Sequence, residues 1–393
     1  MRILMVSDDY LPNPGGIATH VHELSRGLVE AGHEVDLVVG HNAIYEGAPG
    51  NDLPQNMRIL LYRGFTWSWP GYIRAAWQTY NSLKLTQRSA KYDLCHWHSL
   101  IWESFAVRWG AKDLPRIFTN HSSGFLRRSR VAWRRKVQLP AILGCADTII
   151  TPSHELLEET IALGYPSEKV HYISNGVDTE QFCPGVSGPD LSLRYDIGPD
   201  NFVVVAPRRL VHKNGIDILI RACALAAPSI PTLRVLLVGD GPERAELQRL
   251  TEQTGMSENI VFCGNQSRSA VLEHFRLAHV AVLPSRAEAV SIAGLEAMAT
   301  GLPVIGSQTG GIPEFVKPDQ TGWLFPVESV ESLAMALVHA ANLPRPQLQA
   351  MGSAARSFVC ANFSWRSIVA QTLVVYEQVT SAPVMHQVAL LRG

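Results

Sequence analysis

Residues 279–306 constrain this chain more than any other stretch. They read HVAVLP, then SRAEAVSIAGLEAMATG, then LPVIG. Two short apolar runs flank a loop that opens onto a short helix. Strand, loop, helix and strand in that order is the unit from which parallel sheets are built. Two carboxylates, Glu288 in the loop and Glu296 in the helix, lie eight positions apart. The first N–H groups of a helix have no intrahelical partner and suit phosphate. Ser291 is a good N-cap for that helix, with Ile292 following it. Glu296 is placed to accept hydrogen bonds from paired sugar hydroxyls. The stretch therefore reads as a grip on a nucleotide sugar.

The same alternation runs through the rest of the chain. RILMVS is a short buried strand, and DDYLPNPGG a loop. Ile17, Val21, Leu24 and Leu28 then recur at helical spacing up to Gly32, and EVDLVVG is a second strand. Gly15 and Gly16 stand where loop meets helix. The pair either admits a ligand phosphate to the backbone or simply makes a tight turn. NFVVVAPRRL delivers Arg208, Arg209 and then Lys213 into a loop before the helix IDILIRACALA, a good place for cations that face a diphosphate. TLRVLLVGDGPE is a strand and a glycine turn, but Arg244 occupies the third-glycine position of a dinucleotide fingerprint. SQTGGIPEFV supplies another glycine pair, Gly310 and Gly311. Residues 179–200, rich in Pro, Gly and Asp, read as the connection between a domain at 1–178 and one at 201–364.

Three histidines follow strand-like runs. His96 and His98 in YDLCHWHSL share a face of a strand. A metal site there needs further ligands, and no third lies at useful spacing, so a role at a loop edge near an acceptor is the stronger reading. His121 ends the strand of PRIFTNHSSGF. Ligands of open parallel sheets bind beyond the carboxyl ends of strands, which makes His121 a candidate donor to a substrate oxygen. A lone histidine at a strand end is more often structural than catalytic.

Composition narrows the alternatives. With 393 residues and 46% hydrophobic content, the chain can fill two cores. A net charge of −1 gives no global pull toward nucleic acid, and none is expected as a partner. The six cysteines form no C-x-x-C pair, which fits a reducing cytoplasm. The opening MRILMVSDDYLP lacks a signal-peptide pattern, and no apolar run is long enough to span a bilayer. The expected location is the cytoplasm, with peripheral contact at the cytoplasmic membrane face as a further option.

Two stretches stay open. Residues 44–90 read as irregular and carry Phe65, Trp67, Trp69, Tyr72, Trp77 and Tyr80. They line an acceptor cleft, touch a membrane interface, or pack onto the sheet as an irregular insertion. The basic run RRSRVAWRRK, residues 127–136, includes Arg127 and Arg128. It binds an acceptor phosphate or an anionic membrane, or it is a solvated helix face.

Taken together, PNPGG, His121, SNGVD, the Arg208/Lys213 pair, GDGP, Glu288-x7-Glu296 with EAMATGLPVI, and GGIPE resemble the retaining family-4 glycosyltransferases. The resemblance covers most of the chain. It implies an α/β architecture of the GT-B kind: two Rossmann-like domains with parallel sheets facing across a cleft, and a C-terminal helix, residues 365–380, crossing back to the first domain. It implies a nucleotide-diphosphate sugar as donor, UDP-sugar ahead of GDP-sugar, and a glycan, lipid-linked or small-molecule acceptor. No cofactor or metal is implied. By position, Arg208 and Lys213 resemble the diphosphate-binding pair, Glu296 the ribose-binding glutamate, and Glu288 the glutamate near sugar and phosphate. Gly16 resembles the glycine whose backbone meets the donor, and His121 the histidine beside the donor sugar. Ser291 and Ile292 fall at the donor-binding helix start, while His98, Arg127 and Arg128 fall on the acceptor side. Two departures concern the donor sugar: Ala289 and Val290 follow Glu288 where glycines are frequent, and Pro207 precedes Arg208. A non-catalytic nucleotide-sugar binder of the same fold is the alternative, and an epimerase or phosphorylase a weaker one. Retention of His121, Arg208, Lys213 and both glutamates in one chain favours the enzyme.

Overall fold

The structure is a computed structural model and describes residues 1–10, 16–41, 55–63, 69–98, 102–121 and 123–381. The chain divides into two compact units. One comprises Met1–Ser174 together with Ile368–Gly393, and the other comprises Asn175–Ser367.

The first unit holds seven strands: β1 (Arg2–Ser7), β2 (Glu34–His41), β3 (Met57–Arg63), β4 (Leu94–Trp97), β5 (Arg116–Thr119), β6 (Thr148–Thr151) and β7 (Val170–Tyr172). Its helices are α1 (Gly16–Glu30), α2 (Trp69–Ser89), α3 (Trp102–Gly110), α4 (Ser123–Ser129), α5 (Leu139–Leu143) and α6 (His154–Ala162). The strands lie in the order β3-β2-β1-β4-β5-β6-β7, every pair parallel. The order reverses between β1 and β4, and in such sheets that reversal is where ligands bind. On β2, Asp36 is buried. Burial opposes its charge, but hydrogen bonds from Arg58 (2.6 Å from Nε to Oδ1) and Tyr92 hold its pKa below the usual range. This network ties β2 to β3 and to the chain entering β4.

Residues 57–63 and 69–89 correct the sequence reading of an irregular stretch. They form β3 and the long helix α2. The buried side of α2 carries Ala75, Thr79, Leu83 and Thr86 at helical spacing, while Trp77 is 65% exposed. A stripe of small and polar residues gives little apolar periodicity, so the sequence does not mark this helix. Phe65 and Trp67 lie outside the described residues.

In the second unit the strands are β8 (Phe202–Pro207), β9 (Leu233–Val238), β10 (Ile260–Gly264), β11 (Val280–Leu283), β12 (Val304–Ser307) and β13 (Gly322–Phe325). The helices are α7 (Pro189–Arg194), α8 (Ile216–Ala226), α9 (Arg244–Gln253), α10 (Arg268–Leu277), α11 (Ile292–Ala299), α12 (Ile312–Phe315), α13 (Val330–Asn342) and α14 (Arg345–Asn362). The helix α15 (Trp365–Ser381) begins here and continues into the first unit. The sheet order is β10-β9-β8-β11-β12-β13, again all parallel, reversing between β8 and β11. Both faces of this sheet are covered. Val204 and Ala206 of β8 enter one apolar cluster, Val203 and Val205 the other. Burial on both faces is why these strands read as unbroken apolar runs. Residues 179–200 include α7 and pack on the second unit: Phe182 is fully buried in its core, and Gly188 donates to Glu273 (3.1 Å). Two parallel sheets with their covering helices make this an α/β protein.

Candidate functional site

The second unit collects charge at its reversal point. Arg208 leaves the end of β8, and Ser285 and Glu288 leave the end of β11. Arg208 Nη1 pairs with Glu288 Oε2 at 2.8 Å, and Nη2 donates to Ser285 Oγ at 3.0 Å. Their side chains are 9% and 12% exposed. Arg208 Nε is buried without a hydrogen-bond partner. Lys213 sits on a short 3-10 turn, His212–Asn214, with an exposed side chain. Arg286 clasps this turn to the loop after β11. Its N–H donates to Lys213 O, its guanidinium donates to His212 O, and it pairs with Asp217 and Glu328, each side-chain contact at 2.8 Å.

Backbone proximity fixes the shape of these loops. Gly215 has φ +66°, and a Cβ there would lie 1.9 Å from Pro284 O. Gly310 has φ +53°, and its Cβ would lie 1.6 Å from Glu288 O; Gly311 N donates to Ala289 O at 2.9 Å. The residues after Glu288 are not glycines, but the chain that approaches them is. The GGIPE loop supplies the close backbone contact from the other side.

From Ser291 the chain enters α11. The Ser291 hydroxyl accepts from Gly294 N at 3.2 Å, as an N-cap does, which leaves the Ile292 end of the helix as a positive pole. Glu296 lies one turn further in and accepts from Arg268 Nη2 at 3.1 Å. Burial pushes the Glu296 carboxyl up to about 7; Arg268 pulls it down, and Asp178 adds to the rise. Arg268, at the start of α10, also lies over the Phe182 ring at 5.4 Å. Sequence reading missed Arg268, Ser285 and Arg286. Their partners are set by the sheet, and no local pattern marks them.

In the first unit the corresponding reversal point gathers histidines. His98 directly follows β4, and its N–H donates to Val6 O at 3.0 Å. His121 follows β5, and His20 lies on α1. His98 Nδ1 and His121 Nε2 are 3.0 Å apart, and the rings of His20 and His121 meet edge to face at 4.4 Å. His20 and His98 are buried, His121 half-buried. Burial first, then the neighbouring imidazoles, holds His98 and His121 well below the usual histidine range. His96 is also buried, but it is spoken for: Nδ1 bonds to Tyr376 Oη and Nε2 to Thr119 Oγ1, both at 2.6 Å. Burial pushes it down to about 3, with His20 adding to the effect. It reads as structural, tying α15 to β4 and β5.

The absence of a third ligand near His98 held only along the sequence. The fold brings His20 and His121 to it, with one ring nitrogen from each of the three within 4.8 Å of the others. His20 carried a faint signal, since it falls on the same helix face as Ile17, Val21 and Leu24. Gly16 is the first residue of α1; Gly15 and the preceding loop lie outside the described residues. Arg127 and Arg128 occupy the last turn of α4. The basic run is not one helix face, because α4 ends at Ser129 and a π-helical turn, Arg134–Gln138, follows. Arg135 pairs there with Glu159, while Trp133 is 58% exposed.

Comparison with known proteins fits this geometry. Residues 14–181 match the family described as Glycosyltransferase Family 4, and residues 193–358 match Glycosyl transferases group 1. An uncharacterised glycosyltransferase of Methanocaldococcus jannaschii is 28% identical over 96% of this chain and 98% of its own. The GDP-mannose-dependent alpha-(1-6)-phosphatidylinositol monomannoside mannosyltransferase of Mycolicibacterium smegmatis is 31% identical over 67% of this chain and 69% of its own. Among solved structures, sucrose-phosphate synthase of Thermosynechococcus elongatus superposes with a TM-score of 0.80 at 24% identity, over 97% of this chain and 100% of that one. The chain belongs to glycosyltransferase family 4 and has the GT-B fold. No helix among the described residues is long and apolar enough to cross a membrane.

Proposed function

We propose that the protein transfers a sugar from a nucleoside-diphosphate donor to an acceptor hydroxyl with retention of the anomeric configuration, in the synthesis of a glycoconjugate or cell-surface polysaccharide. The observation that carries this reading is the convergence of Arg208, Ser285 and Glu288 beside the Lys213 turn and the start of α11. Cations and helix-start amides already held in place stabilise charge on a departing diphosphate without reorganising. Glu296 accepts from the ribose hydroxyls. Glu288 orients the guanidinium of Arg208 and meets the sugar. His121 gives a hydrogen bond to a sugar hydroxyl. Gly16 lets the donor approach the backbone at the start of α1.

In the reaction the anomeric C–O bond breaks and its electron pair goes to the diphosphate oxygen. The acceptor oxygen bonds to the anomeric carbon on the same face, through an oxocarbenium-like state. The acceptor proton passes to the departing phosphate oxygen. The products are a glycoside and the nucleoside diphosphate. The relative from Mycolicibacterium smegmatis is named for GDP-mannose and a phosphatidylinositol mannoside. On that likeness we propose GDP-sugars beside UDP-sugars as donors, and inositol phospholipids among acceptors. His98, Arg127 and Arg128 are proposed on the acceptor side, and exposed Trp133 among arginines suits an anionic lipid surface.

The test is nucleotide release from UDP-, GDP- and ADP-sugars, with and without crude lipid or phosphatidylinositol acceptor. One nucleotide type is expected, and Lys213→Ala and Glu296→Ala should abolish its release in a folded protein. Donor binding without turnover on any acceptor would point instead to a non-catalytic binder. A full rate in Lys213→Ala would remove that residue's role. For the lipid contact, salt-sensitive sedimentation with anionic vesicles is expected; its absence leaves residues 127–136 as solvated surface.

A further inference from the structure

We propose that Arg286 is a positioning residue for nucleotide binding: it fixes the turn that carries Lys213, and so gives the second unit a preference for a nucleoside diphosphate over the monophosphate. This role presupposes that Lys213 meets the donor diphosphate, as already proposed, and it falls to a residue that touches no substrate itself.

Lys213 cannot place its own charge. It stands on the three-residue 3-10 turn His212–Asn214, and its side chain is exposed. Among the described residues its ammonium makes no hydrogen bond or ion pair. An ammonium on a flexible four-carbon stem is a point charge, useful only as far as its backbone is held. A short 3-10 turn has poor hydrogen-bond geometry of its own, so the holding comes from outside.

Arg286 supplies it from the loop after β11. Its backbone N–H donates to Lys213 O at 2.8 Å, and its Nη1 donates to His212 O at 2.8 Å. Nη1 and Nη2 form a fork on Asp217 Oδ1 and Oδ2, at 2.8 and 2.9 Å. Asp217 lies in the first turn of α8 and is braced there by Arg221 at 2.8 Å. Nε donates to Glu328 Oε1 at 2.8 Å. One residue therefore ties two carbonyls of the turn, and the helix behind it, to a single point. Asn214 closes the other side, its Nδ2 donating to Arg209 O at 2.7 Å. The guanidinium is 16% exposed and engages four of its five N–H donors inside the protein, which leaves little for a substrate. Ser285 and Glu288, its neighbours in the same loop, hold Arg208. One loop thus sets the spacing of both cations. A diphosphate has to satisfy the two at once, and a monophosphate does not. A lysine at position 286 would offer one charge and no planar fork.

Calorimetry on the full chain with UDP, GDP and ADP, each against UMP, GMP or AMP, reads the preference. One base is expected to bind, its diphosphate more tightly. Arg286→Ala and Arg286→Lys should each weaken that diphosphate roughly tenfold or more, the scale of one charge-assisted hydrogen bond, and leave the monophosphate within about twofold. Lys213→Ala should weaken the diphosphate too. Adding Arg286→Ala to it should cost less than about twofold more, because the turn then has no charge to place. Melting curves establish which variants are folded. Should Arg286→Ala fail to fold, Asp217→Asn, which removes the charged side of the fork, should give the same selective loss. Equal loss of mono- and diphosphate, full additivity with Lys213→Ala, or undiminished diphosphate binding in folded Arg286→Ala would overturn the positioning role alone. Undiminished diphosphate binding in Lys213→Ala is a separate result: it removes the diphosphate contact itself, and the role of Arg286 with it.

Discussion

At the scale of single residues, Glu296 has the most to say. The folded protein holds its proton up to about pH 7, whereas the ordinary carboxyl releases it near 4.5. The raised pKa therefore contributes stability at low pH that fades as pH climbs from 4.5 to about 7. At ~1.36 kcal/mol per pH unit the contribution is about 3 kcal/mol. Glu296→Gln should accordingly gain on the parent between pH 5 and pH 8, read as the difference in melting temperature. Nucleotide affinity should run the opposite way. The ionised carboxylate is the better acceptor for ribose hydroxyls, so parent affinity should rise by up to about tenfold from pH 6 to 7.5, while the Gln variant stays flat. Arg208 gives a second test. With Glu288 removed, a guanidinium 9% exposed loses its counter-charge. Glu288→Ala should cost about 3–5 kcal/mol in denaturant unfolding, and Arg209→Ala far less. Arg208 and Glu288 were legible because each follows an apolar run that had to be a strand, and Glu296 because it sits in the helix that comes next. Arg268 was not, because its bond to Glu296 spans 28 positions and exists only once α10 and α11 are packed.

Elements show where sequence pattern succeeds and where it thins. Most strands of both sheets were readable, since burial on two faces demands unbroken apolar runs, but β3 was not. α2 was not, because Ala75, Thr79 and Thr86 do on its inner face what leucines do elsewhere. The glycine pair before α12 stood out in the sequence, but what it packs against did not. Only the fold places Gly310 against the Glu288 carbonyl. Two left-handed glycines separate these effects. Gly32 has φ +88° with nothing within 4 Å of a built Cβ, while Gly310 would drive its Cβ into backbone. Gly32→Ala should cost about 1–2 kcal/mol, the price of left-handed backbone alone. Gly310→Ala should cost distinctly more and also weaken nucleotide binding, because the Glu288 loop must move. Calorimetric unfolding paired with nucleotide titration separates the two.

Across the whole molecule, the second unit is one uninterrupted stretch of sequence, 175–367, and the first is made of two pieces. A fragment spanning 175–367 should fold cooperatively and bind the nucleotide that the release assay selects. Removing residues 368–393 should instead loosen the first unit. It takes away Val369, which packs against Gly27, and Tyr376, whose hydroxyl bonds to His96. Tyr376→Phe tests the last contact alone, at about 1–3 kcal/mol. The family and the two-sheet plan were legible from strand and loop order. The histidine cluster was not, since its members are separated by 78 and 23 positions and meet only where β1, β4 and β5 end side by side.

The split first unit has a further consequence for synthesis on the ribosome. Residues 1–174 emerge before the helix segment that covers them, from Ile368 onward, is translated. Through the making of almost two hundred intervening residues, the surface awaiting Val369 and Tyr376 stays uncovered. The later-made unit thus has its full sequence available before the earlier one does. A chain ended after residue 367 would hold a complete second unit and a first unit still open to chaperones.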